Sequence, residues 1–81
     1  MTANLLLRKL RQELGWTQKE MSKRLGVGQG YLSKIENGRL DVPLVVFRRA
    51  FRLSMEAPGA EDLARAFVNF LWGMRGNHES S

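Results

Sequence analysis

An all-α domain of five helices is what this sequence predicts, and three observations predict it. Apolar residues recur at helical spacing along most of the chain. Helix-starting residues, Thr17 and Pro43, stand before two of the periodic segments, and glycines at Gly15, Gly26 and Gly38 close three of them. With 81 residues, the chain has room for one small core.

The first helix follows from Leu6, Leu7, Leu10 and Leu14, with Arg8, Lys9, Arg11, Gln12 and Glu13 on the other side and Gly15 as its stop. Thr17 then caps a second helix through its hydroxyl, and Glu20 three residues on supplies the partner of a capping box. This helix turns Met21 and Leu25 inward, keeps Ser22 small, and stops at Gly26. After a Gly26-Val27-Gly28 turn, a third helix runs from Gln29 to Asn37, with Leu32 and Ile35 inward and Gln29, Ser33 and Lys34 outward. Pro43 suits the first position of a fourth helix, where its missing N–H has no helical partner anyway. There Leu44, Phe47, Ala50 and Phe51 form the expected core stripe, Arg48, Arg49 and Arg52 share another side, and Val45 and Val46 are left over. Pro58-Gly59 interrupts the pattern, and Glu61 and Asp62 suit the first turn of a fifth helix running to about Met74. Its apolar residues form two stripes, one of Leu63, Phe67, Phe70, Leu71 and Met74, the other of Ala64, Val68 and Trp72. A core this small cannot cover both, so part of this helix points to another protein chain. The expected organisation is 1–54 as a core unit, 55–75 as a C-terminal helix for dimerisation and 76–81 as a tail, within one compact domain.

Composition narrows the function. The chain is 43% hydrophobic and 26% charged, enough of each to fold and stay in solution, and it has no cysteine, which excludes disulfides, thiolate metal sites and cysteine nucleophiles. Its net charge of +5 is uneven: residues 1–53 carry +7 and residues 54–81 carry −2. The basic part is the expected polyanion-binding part. No apolar run approaches a membrane span and charges follow soon after the first leucines, so a cytoplasmic protein without membrane contact is expected.

Two short helices joined by a tight turn in a basic segment suggest a helix-turn-helix. Counted from Gln18, the fourth and eighth residues (Met21, Leu25) are apolar, the fifth (Ser22) is small, the ninth is Gly26, and the fifteenth and eighteenth are Leu32 and Ile35. Each spacing has a packing reason, since a small fifth residue lets the two helices approach and the glycine permits the turn. The stretch LRQELGWTQKEMSKRLGVGQGYLSKIENGR, with its G-x-T-Q, L-G-V and Y-L-S-K-I-E-N-G-R pieces, resembles the Cro/repressor-type (xenobiotic-response-element) helix-turn-helix family, over roughly Leu5 to Leu53. That resemblance implies a five-helix fold whose third helix enters the major groove of double-stranded DNA. It also implies roles: Gln18, Asn37 and Arg39 on phosphates, Gln29, Tyr31, Ser33 and Lys34 towards base edges or nearby phosphates, and Arg11 with Glu36 as a structural ion pair. The chain departs from the family's pattern at Gly28, commonly a Ser or Thr cap, and at Gly30, commonly a DNA-reading side chain.

Other constellations are weak. Lys9, Lys19, Lys23 and Arg24 read as solvated charges, and Trp16 and Trp72 as core and interface residues. His78 sits in the tail without a site around it, and no carboxylate pair, triad or metal-ligand spacing stands out, so no catalytic residue, metal or cofactor is expected. The expected function is a sequence-specific DNA-binding transcriptional regulator. In this reading it is a dimeric repressor or autoregulator on an inverted repeat, with Val46, Leu63, Phe67, Phe70, Leu71 and Trp72 at the dimer interface. The alternative is an antitoxin that binds a toxin through the C-terminal region and represses its own operon.

Overall fold

The computed structural model describes residues 2–76, and it consists there of five helices: α1 (Ala3–Leu14), α2 (Gln18–Leu25), α3 (Gln29–Glu36), α4 (Leu44–Glu56) and α5 (Glu61–Gly76). Residues 77–81, most of the expected tail with His78, and the Met74 side chain lie outside the described parts.

Local chemistry sets most boundaries. Thr2 caps α1, its side chain accepting from the Leu5 N–H, and Gly15 closes that helix in the left-handed conformation, φ 71°. The Thr17 hydroxyl accepts from the Glu20 N–H at 3.1 Å, and the two side chains lie 3.4 Å apart. The capping box is therefore half made, through the amide, while Glu20 meets the Thr17 hydroxyl. Gly28 precedes α3 with no side-chain cap. Pro43 is the N-cap of α4 with ψ 149°, so the helix starts one residue later than its sequence suggests.

α1 is the spine: α3, α4 and α5 all lie against it, α2 lies against α3 and α4, and α5 lies along α4. The core draws Leu6, Leu7 and Leu10 from α1, Met21 and Leu25 from α2, Leu32 and Ile35 from α3, Val46, Phe47 and Ala50 from α4, and Phe67 from α5. Apart from Ala50, each such side chain taken from water stabilises the fold by about 1.5–3 kcal/mol before entropy is counted. Ser22, buried with its hydroxyl on the Lys19 carbonyl at 2.8 Å, leaves α2 and α3 room to meet. Between α4 and α5 the Phe47 ring stands 4.9 Å from Phe67 and 5.3 Å from Phe70, both tilted.

Three expectations need correcting. Val46 is 2% exposed and Phe67 is fully buried, so neither has surface for a partner; Leu44, expected in the core, is 56% exposed. α4 turns Val46, Phe47, Ala50 and Ser54 into the core it shares with α1, α2 and α5, and that rotation leaves Leu44 and Val45 outward. Of the other residues expected to face a partner, Leu63, Phe70 and Leu71 are half-buried against the core, while Trp72 is 71% exposed beside exposed Val68. α4 continues to Glu56, and Phe67 brings α5 into the common core. No helix among the described residues is long and apolar enough to cross a membrane.

Candidate nucleic-acid interface

α3 buries Leu32, Ile35 and Glu36 and leaves the rest of its circumference outward. At about 100° per residue, Gln29, Ser33 and Asn37 fall in one row, Gly30 and Lys34 in the next, and Tyr31 at the far edge. Gln29, Gly30, Tyr31, Lys34 and Asn37 are exposed and Ser33 is half-buried, its hydroxyl 3.5 Å from the Asn37 amide. Arg39 follows, also exposed. The structure thus brings the expected α3 residues onto one outward arc, with two cations, Lys34 and Arg39, on or beside it.

Glu36 fixes how that arc is presented. Its carboxylate is almost fully buried and accepts three hydrogen bonds: from Arg11 Nε at 2.7 Å, Arg11 Nη2 at 3.0 Å and Gln18 Nε2 at 3.0 Å. This fork-shaped pair, the one ion pair among the described residues, holds α1, the start of α2 and the end of α3 together. Arg11 also donates to the Trp16 carbonyl at 3.0 Å, fixing the α1–α2 link. Gln18 is thus turned inward, onto Glu36; its side-chain amide is engaged there, while its backbone N–H opens α2.

Two positioning residues were missed in the sequence. Asn4 Nδ2 donates to the Ile35 and Leu40 carbonyls, each at 2.7 Å, and so ties the start of α1 to the end of α3 and the loop beyond. Arg49 Nη1 donates to the Leu25 carbonyl at 2.8 Å, serving the C-terminus of α2 from α4. Gly26 has φ +71°, so the backbone favours glycine in the turn, and a Cβ there would stand 2.9 Å from that same Nη1, the far end of a flexible side chain. Nothing local signals either contact. Thr2 did have a readable signal, a threonine just before the first leucines. Arg24 lies over the Trp16 ring at 4.9 Å, which accounts for one surface cation and one tryptophan without DNA.

Residues 7–46, from the first turns of α1 into α4, match the family model described as helix-turn-helix. The chain carries a helix-turn-helix domain of the Cro/repressor type. α2 and α3 are its paired helices, and the chain is a DNA-binding transcriptional regulator of that family. Neither a curated protein nor a solved structure matches the chain. α5 lies beyond the matched segment. Among the described residues no group of three or more acidic or histidine side chains is placed to hold a metal ion.

Proposed function

We propose that this helix-turn-helix protein is a dimeric repressor, acting on its own operon among others, that reads an inverted repeat by placing α3 in the major groove. The observation behind it is the outward arc of α3, polar and cationic, held from behind by the buried Glu36 lock. Gln29, in the first turn, is the foremost base reader, since glutamine matches the N6 and N7 edge of adenine; Lys34 reaches guanine or a phosphate, and Tyr31 and Ser33 flank them. Asn37 and Arg39 at the far end, and the opening amides of α2 at Gln18, hold phosphates.

The dimer is supported by the open apolar surface at Val68, Trp72 and Met55, which are 46%, 71% and 66% exposed. Two copies would set their α3 helices about 34 Å apart, one turn of DNA. The test is binding to the DNA upstream of its own gene against an unrelated duplex, across a salt series, with the mass of the complex recorded. Two chains on an inverted repeat support the reading. Equal binding to both duplexes overturns self-regulation. One chain on a half-site overturns the dimer and leaves the Trp72 surface to a different protein, such as a toxin.

A further inference from the structure

Two shallow hollows adjoin on the outer side of α4. One is lined by Arg48, Phe51, Arg52, Met55 and Leu71, the other by Met55, Glu56, Pro58, Glu61 and Ala64 among others, so Met55 is the wall they share. The first hollow is basic at its rim and the second acidic. Arg52 and Glu56 stand one turn apart on α4, both exposed, yet they form no ion pair with each other. The centre is apolar: Met55 is 66% exposed, a large side chain left in water without an intramolecular use.

A patch with an apolar centre, positive on one side and negative on the other, complements itself under a two-fold rotation, because the rotation lays the basic side of one copy on the acidic side of the other. We propose that a second copy of this chain docks here, about a two-fold axis beside Met55, with Arg52 against Glu56 of the partner subunit and Arg48 against Glu61 of the partner subunit. The inference rests on the dimer reading above and assigns its axis and charged register. The face is compatible with DNA binding, since its hollows are lined by residues of α4, the α4–α5 link and α5 and by none of α3.

The test uses the full chain and charge reversal. Arg52→Glu and Glu56→Arg, each at an exposed position, are expected to weaken dimerisation at least about tenfold by placing like charges opposite one another, and the double variant is expected to restore it. Arg48→Glu and Glu61→Arg form a second pair with the same expected pattern, and circular dichroism checks each variant's fold. Because the chain has no cysteine, Met55→Cys supplies a unique thiol that should oxidise readily to a covalent dimer, while Val45→Cys should not. If the wild type is a monomer at micromolar concentration, this inference and the dimer reading both fall. If the wild type is a dimer but folded single reversals leave it intact, or the doubles fail to rescue, the dimer reading stands and this axis is wrong.

Discussion

Glu36 concentrates more structural consequence than any other residue. Its carboxylate serves two side chains from two helices in a site with almost no water, so removing it leaves Arg11 without its ionic partner. Glu36→Ala is expected to cost about 3 kcal/mol, read from the urea midpoint, a large share of what a domain this size possesses. Replacing the pair together, as Arg11→Met with Glu36→Leu, is expected to recover most of that loss, because neither charge then has to be buried. Gln29→Ala should behave in the opposite way: unchanged unfolding, but a loss of about 1–3 kcal/mol in preference for the operator over unrelated DNA, measured by competition binding. The ion pair was legible in the sequence because Arg11 and Glu36 stand at fixed places in a motif. Asn4 and Arg49 were not, since their partners lie 31 and 24 residues away and are carbonyls, which every residue has.

Among the elements, α3 departs furthest from ideal helix chemistry. It begins after Gly28 without a side-chain cap and has Gly30 in its first turn, and at both glycines a Cβ would meet open space. Gly28→Ser is expected to stabilise the protein by a few tenths of a kcal/mol through a new cap, and Gly30→Ala by up to about 1 kcal/mol through helix propensity, both read by thermal unfolding. If Gly30 is where the backbone comes close to DNA, Gly30→Ala should also weaken operator binding while it raises stability. Helix starts and stops were mostly readable because caps are local: Thr17, Gly15 and Gly26 act where they stand. The rotation of α4 was not. Val45 and Val46 are adjacent and alike, and which one turns inward depends on how α4 packs against α1, α2 and α5, which no local pattern encodes.

At the scale of the whole molecule, basic charge and open apolar surface are weighted to different ends of the chain and meet on α4, where Arg48 and Arg52 border Met55. The basic residues lie mainly in the first four helices, whereas the two most exposed large apolar side chains, Trp72 and Met55, lie on α5 and at the end of α4. Affinity for DNA should therefore depend on salt, while assembly should depend on Trp72. Trp72→Ala is expected to weaken dimerisation and leave monomer stability within about 0.5 kcal/mol, because the ring is mostly in water in the single chain. The logarithm of DNA affinity should fall linearly with the logarithm of salt concentration, at a slope of about −0.9 per phosphate neutralised. The doubled apolar pattern of α5 was visible in the sequence, but not which stripe was open, since that depends on how α4 lies beneath it.

The asymmetry in how α3 is held has a mechanical consequence. Asn4 and Arg11, two turns apart on α1, both grip its C-terminal end, at Ile35 and Glu36, whereas the end bearing Gln29 has only the apolar anchors Leu32 and Val27 behind it. If α3 reads DNA as proposed, it does so as a cantilever whose side-chain hydrogen bonds to other helices all lie at one end. Amide hydrogen exchange should be slow near Asn37 and quicken towards Leu32, and a bound operator should erase that gradient by bracing the tip. A tip that yields by a fraction of an ångström can adjust to half-sites that differ slightly, so tolerance of imperfect operators would come from elasticity in the scaffold rather than from any change of contact residues.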